Sequence, residues 1–102
     1  MREGAKLAMI DFDQEKMSTT AEFIKSQVSN VTVLEYKLDL ATEVDKFDST
    51  FESISKDLGQ VDVLVNNAGV LVAGNLGMID PETYDHMMAV NVKAPLFMTQ
   101  VL

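Results

Sequence analysis

Apolar positions along this chain alternate between short continuous runs and longer stretches with a helical period. Lys6 to Ile10 is a run that hands over to the acidic cluster Asp11-Phe12-Asp13, and it reads as a short buried strand. From Asp13 to Ser29, Met17, Ala21, Ile24 and Val28 recur at spacings of four, three and four, which predicts a helix with one buried stripe. Ser29-Asn30 breaks that pattern. Val31, Val33, Tyr36 and Leu38 then alternate loosely, with Leu34 on the opposite face, and predict a second strand ending at Asp39.

Thr42 is placed to cap a second helix. Its stripe of Val44, Phe47, Phe51, Ile54 and Leu58 is the clearest amphipathic pattern in the chain, and Gly59 stands at the C-cap position. Val61, Val63, Leu64 and Val65 follow as a mostly β-branched run, the pattern of a strand buried on both faces of a parallel sheet. Val70 to Ile79 has no firm period and reads as a loop. Asp80-Pro81 is a helix start, because Asp can accept from free N–H groups and Pro at the first helical position has no N–H to leave unpaired. This last helix runs through Tyr84, Met87, Met88 and Asn91 toward Leu102, with Pro95 interrupting or kinking it. Met78, Met87, Met88 and Met98 are expected as core filler.

The order strand, helix, strand, helix, strand is the mark of an α/β fold with a parallel sheet. A length of 102 residues allows one domain, and 47% apolar content argues for a folded chain. Sixteen acidic against eight basic residues give a formal charge of −8, which disfavours nucleic acid as a partner. Absence of cysteine excludes disulfides and thiolate metal sites, and a single histidine excludes a multi-histidine cluster; no metal site is expected. No run is long enough for a membrane span, and no secretory segment opens the chain, so a cytoplasmic protein is expected.

Candidate chemistry lies at the carboxyl ends of the strands, where open α/β sheets bind ligands. Asn66-Asn67-Ala68-Gly69 reads either as such a binding edge or as a simple turn, since Asn and Gly tolerate positive φ. Asp11 stands where a dinucleotide fold holds ribose hydroxyls; equally, Asp11 and Asp13 could serve only to start the next helix against its dipole. The D-F-D triplet also invites comparison with the Mg²⁺-binding carboxylates of haloacid-dehalogenase-like phosphatases and receiver domains. Gln14-Glu15 follows where the former needs Gly-Thr, and Asn66 stands where the latter needs its phosphorylated Asp.

Taken together, G-A-K-L-A-M-I-D at 4–11, L-D-L at 38–40, D-V-L-V-N-N-A-G at 62–69 and N-V-K-A-P-L-F at 91–97 resemble the short-chain dehydrogenase/reductase family. The resemblance covers essentially the whole chain. It implies a partial NAD(P)-binding Rossmann-like domain over 1–102, a doubly wound parallel sheet represented by strands two, three and four of the family fold with intervening helices. Asp11 would hold the adenosine ribose diol and favour NAD over NADP, since a 2′-phosphate would meet its charge. Asp39 and Leu40 would flank the adenine. Asn66 would tie neighbouring strands together, and Asn67, Ala68 and Gly69 would pass close to the cofactor. Asn91 matches the asparagine of the catalytic tetrad, whose backbone carbonyl holds a water linked to the active-site lysine. The implied activity is NAD-linked hydride transfer between an alcohol and a ketone, with a small-molecule alcohol or carbonyl substrate and a homo-oligomeric parent protein.

Two departures accompany these matches. The glycine-rich turn that precedes the first of these strands in the family is missing, and so are its catalytic Ser and Tyr-x-x-x-Lys. Tyr36 precedes Lys37 directly and Tyr84 has Met88 at i+4, so neither supplies a tyrosine with its lysine one helical turn away. His86 is expected as surface or ordinary packing. In a sheet of order 3-2-1-4 the missing strand is central, leaving two apolar strands with unpaired edges. The expectation is therefore a fragment of a longer dehydrogenase, inactive and a doubtful cofactor binder by itself. The alternative is a truncated, non-catalytic product that pairs its bare strands with a full-length relative.

Overall fold

The computed structural model describes residues 4–71, 74 and 77–101. Part of the expected loop at 70–79 and the final residue of the expected last helix fall outside the described residues.

Strand β1 (Leu7–Asp11) pairs in parallel with β2 (Val33–Lys37), in register from Leu7 opposite Val33 to Asp11 opposite Lys37. A parallel pair needs a crossover, and α1 (Gln14–Gln27) provides it. Its start is set by Asp13, whose carboxylate accepts from the Lys16 N–H at 3.0 Å, so the dipole-facing role expected of this acid is realised. Met17 and Ala21 are buried against the sheet, while Ile24 and Val28 at the far end of the stripe are half-buried. Glu35 of β2 locks the helix in place by accepting from Ser18 Oγ at 2.8 Å and Gln14 Nε2 at 3.0 Å. Asn30 then turns the chain with a φ of 58°, a conformation asparagine adopts more readily than most residues.

The second helix begins differently from its predicted form. A 3-10 turn over Val44–Lys46 leads into α2 (Phe47–Leu58), and no side chain caps either start. Thr42 is exposed; Glu43 instead uses its carboxylate to accept from the Asp39 N–H at 2.8 Å. The apolar stripe is realised, with Phe47, Phe51 and Ile54 buried and Val44 and Leu58 half-buried. Gly59 ends the helix at φ 90°, where a Cβ would be strained.

Residues 60–71 form neither helix nor paired strand, which corrects the expected strand at Val61–Val65. Val61 and Leu64 are half-buried, but Val63 and Val65 are each 76% exposed. The physical reason is the lack of a neighbour: a strand is defined by its ladder, and no backbone bond among the described residues joins this run to β1 or β2.

Asp80 caps α3 (Pro81–Met88) by accepting from the Thr83 N–H at 2.7 Å, with Pro81 at the first position as expected. A π-helical turn, Ala89–Lys93, follows and passes into α4 (Ala94–Val101). The irregularity therefore lies just ahead of Pro95 and the helix continues through it. Leu38, Phe47, Phe51, Ala94 and Met98 form a buried cluster joining the end of β2 to α2 and α4, with Ile10, Val61 and Leu64 packed at its edge. Met17 and Met98 are core residues, whereas Met78 at 78% and Met88 at 39% exposure are not; with so few layers present, there is no core for them to fill.

The shape is open. Accessible surface is 7480 Å², against about 5,700 Å² for an ordinary folded chain of this mass, and the radius of gyration is 15.6 Å, against about 13 Å.

Candidate functional site

Strand ends and the segment after α2 border one cleft of about 1260 Å³. Its lining includes Asp11, Asp39 and Leu40 together with Asn67, Ala68 and Gly69. Asp11 reaches this place because β1 ends there, and Asp39 because the Leu38 N–H donates to the Asp11 carbonyl at 2.9 Å, which carries the β2 exit alongside.

Each acid is held by one oxygen. Asp11 Oδ1 accepts from the Phe12 N–H at 2.7 Å and the Asp13 N–H at 3.3 Å, and Asp39 Oδ1 accepts from the Ala41 N–H at 2.9 Å. Such local bonds fix a carboxylate's orientation while its second oxygen stays available to a diol or an amino group.

The Asn67 N–H donates to the Val65 carbonyl at 3.1 Å, a three-residue turn centred on Asn66. Asn66 does not tie strands together here; its amide donates to Thr99 Oγ1 on α4 at 3.5 Å. The turn lies at 65–67, and Asn66 to Gly69 also line the cleft. A Cβ built on Gly69 would come no nearer than 3.6 Å to any other atom, Asn91 Oδ1. The protein itself thus has room for a side chain at Gly69, and a group lying against the backbone there would use that room.

Asn91 lies in the π-helical turn and grips the chain just beyond Gly69. Its Oδ1 accepts from the Val70 N–H at 2.8 Å and its Nδ2 donates to the Val70 carbonyl at 2.7 Å, so one amide satisfies both backbone groups of Val70. In an α-helix the donor to the Asn91 carbonyl would be the nitrogen of Pro95, which carries no hydrogen. Asn91 thus binds Val70 by its side chain, and Pro95 cannot donate to its carbonyl. The clamp on Val70 was not visible in the sequence; the only signal was a lone amide between Val90 and Val92.

His86 is exposed, within the expected surface or packing role, and also borders the cleft. Tyr36 does not: its hydroxyl donates to Asp57 Oδ2 at 2.7 Å. Burial first, and then the bond to Asp57 and its charge, push this hydroxyl up to about 12, the wrong direction for a tyrosine acid–base group at neutral pH. Tyr84 is 55% exposed on α3. Among the described residues no cluster of three metal-ligating side chains occurs, and no helix is long and apolar enough to cross a membrane.

Carboxylates held by one oxygen beside a backbone open at Gly69 can accept from hydroxyl or amino donors. The described residues provide no glycine-rich cradle for a pyrophosphate.

Comparison with known proteins supplies the family. The chain is 36% identical over 99 residues to an uncharacterised oxidoreductase of Thermotoga maritima, covering 95% of this chain. It is 30% identical over 100 residues to galactitol 2-dehydrogenase of Agrobacterium fabrum, covering 98%. A solved metagenomic short-chain oxidoreductase in complex with NADP superposes on 98% of the chain with a TM-score of 0.87 at 29% identity. The chain spans 37% of the length of both curated relatives and 44% of the solved chain. The fold is accordingly part of a Rossmann-like doubly wound sheet. With the short chain dehydrogenase family model matching residues 1–102 in full, the chain belongs to that family.

Proposed function

We propose that this chain is the adenosine-binding portion of an NAD-linked oxidoreductase that interconverts a small alcohol and its carbonyl compound. One observation carries this reading: Asp11, Asp39, Leu40, Asn67, Ala68 and Gly69 line a single cleft. When bound, the nicotinamide supplies or accepts the hydride. Asp11 holds the ribose diol through its uncommitted oxygen, Asp39 and Leu40 border the adenine, and Gly69 leaves room for the ribose. Asn91 holds Val70 while its carbonyl orders a water in a proton relay.

Preference for NAD over NADP rests on the carboxylate of Asp11, with Phe12 rather than a basic residue following it; a 2′-phosphate would meet like charge. The NADP held by the solved relative makes this the point most in need of a test. A polyol substrate is consistent with the similarity to galactitol 2-dehydrogenase. Hydride transfer needs an acid–base tyrosine with its lysine, and neither Tyr36 nor Tyr84 qualifies, so the isolated chain is inactive. Homo-oligomerisation of the whole protein is supported by Tyr84, Met88, Val92 and Leu96, large apolar residues between 39% and 55% exposed along α3, the π turn and α4. Cytoplasmic residence belongs to the same proposal and is tested by cell fractionation.

Ligand-detected NMR with ADP-ribose and its 2′-phosphorylated form tests the cofactor reading. Saturation transfer to the unphosphorylated ligand, lost in Asp11→Asn, is expected. Equal transfer to both ligands, or transfer unchanged in Asp11→Asn, overturns it.

A further inference from the structure

The loop that leaves β2 is tied more closely than a connection requires. Within 39–43 the Asp39 carbonyl accepts from the Thr42 N–H at 3.3 Å and the Glu43 N–H at 2.9 Å. Asp39 Oδ1 accepts from the Ala41 N–H at 2.9 Å, and the Asp39 N–H donates to Glu43 Oε1 at 2.8 Å. Leu40 and Val44 pack against the buried cluster and anchor the loop to the core. Asp39 is therefore fixed at its N–H, its carbonyl and one carboxylate oxygen, which leaves Oδ2 available to a ligand.

Glu43 is the member of this loop whose behaviour its own helix does not explain. It stands at the N-cap of the 3-10 turn Val44–Lys46, where a side-chain acceptor ordinarily takes up free N–H groups of the helix that follows. No side chain does so for that turn or for α2. The Glu43 carboxylate reaches backward to Asp39 instead, and its Oε2 is tied to Lys46 Nζ. The Lys46 ammonium first, and then the Asp39 N–H, hold this carboxyl below the usual carboxylate range, so the acceptor is charged at neutral pH. Asp39 and Leu40 line the cleft and Glu43 does not. Its carboxylate acts on the cleft through Asp39.

We infer that Glu43 is a positioning residue for base recognition, holding Asp39 so that Oδ2 takes an exocyclic amino group of a purine and rejects a carbonyl oxygen at the same place. This rests on the proposed placing of Asp39 at the adenine. An ionised carboxylate only accepts hydrogen bonds. Adenine offers it an amino donor, whereas hypoxanthine presents an oxygen there and carries its proton on the neighbouring ring nitrogen. Discrimination between the two depends on an orientation fixed before the base arrives. With the Asp39 N–H released, the carboxylate can turn to either donor and the preference falls.

The test measures affinities of the full chain, by saturation transfer, for ADP-ribose and for its counterpart with hypoxanthine in place of adenine. The parent chain is expected to favour adenine by about tenfold or more, as one hydrogen bond to a charged group allows. Glu43→Ala should bring the two ligands to within about threefold of each other, with faster exchange of the Asp39 amide and unchanged exchange in β1. Glu43→Gln, whose side-chain oxygen still accepts from the Asp39 N–H, should restore both preference and protection. A merely structural Glu43 would weaken both ligands alike or neither. Should Glu43→Ala fail to fold, the Asp39 amide resonance decides: it should follow an acid titration in the parent that is missing in Glu43→Gln. The inference is overturned by a preference retained in Glu43→Ala, by equal loss of both ligands, by no rescue in Glu43→Gln, or by the same Asp39 amide titration in parent and Glu43→Gln. Absence of any base preference in the parent overturns the placing of Asp39 at the adenine, and the inference with it, before a variant is compared.

Discussion

The segment from β1 to β2 and the segment from Val61 to Gly69 start from similar material and reach different ends. Leu7 to Ile10 and Val61 to Val65 are both short runs dominated by apolar residues. The first is hydrogen-bonded along its length to β2, covered by α1, and half-buried from Leu7 to Ile10. The second touches the core only through Val61 and Leu64, and leaves Val63 and Val65 in water. An apolar run states the environment it is suited to, but burial on a second face and pairing on an edge are supplied by neighbours. Where the neighbour is present the run becomes a strand; where it is absent the same chemistry yields an exposed apolar edge.

The sharpest way to break this contrast is to cut side chains on either side of it. Phe47→Ala, at a position 1% exposed in the cluster joining β2, α2 and α4, should cost about 3–5 kcal/mol. That is a large share of the stability of any small domain, so urea unfolding should show loss of the cooperative transition. Val63→Ala, at 76% exposure, should change stability by no more than about 0.5 kcal/mol. Equal losses in the two variants would mean that the Val61–Val65 run is buried in solution.

A smaller effect is expected at the junction of the site with its support. Asn91→Ala removes both bonds to Val70 and should weaken the local structure by about 1–2 kcal/mol. Exchange of the Val70 amide should speed about tenfold while amides in β1 are unchanged. If instead the whole chain is destabilised evenly, Asn91 is an ordinary packing residue.

Asp13→Ala removes the acceptor for the Lys16 N–H and should cost about 1 kcal/mol, seen as a lower helical signal and a lower melting temperature. Asp13→Ser should restore most of the loss, because a hydroxyl caps nearly as well.

The smallest effect concerns pH. The Tyr36 hydroxyl is pushed up to about 12 in the folded chain by burial and by Asp57, while in the unfolded chain it titrates near 10. The folded form therefore retains a proton that the unfolded form releases, so this contribution is whole below about pH 10 and fades as pH rises toward 12. Chemical denaturation across that window should show a downward slope that Tyr36→Phe flattens. An unchanged slope would exclude the Tyr36–Asp57 contact as its source.

Local periodicity and end signals made much of the architecture legible. Met17 and Ala21, the stripe from Phe47 to Ile54, Gly59 at its end and the Asp80-Pro81 start all do what their spacing implies, because helix faces and caps are decided within a few residues. Asp11, Asp39, Leu40 and Asn67 to Gly69 line one cleft, although the run whose end was to carry the last three forms no strand. Less legible were Thr42, displaced as a cap by a 3-10 turn, and the bonding of Asn66 to Thr99 across thirty-three positions. Such contacts depend on which elements come to lie side by side, and no local signal carries that.

By itself, then, the sequence determined which stretches are helical, which runs are suited to a parallel sheet, and which carboxylates and small residues stand at their ends. Only the tertiary structure decided that Val61–Val65 stays unpaired among the described residues, that Asn91 closes on Val70, and that one cleft gathers the candidate residues. The reason is one of range: helix periodicity and capping are set by neighbours along the chain, whereas pairing, burial and clefts are set by neighbours in space.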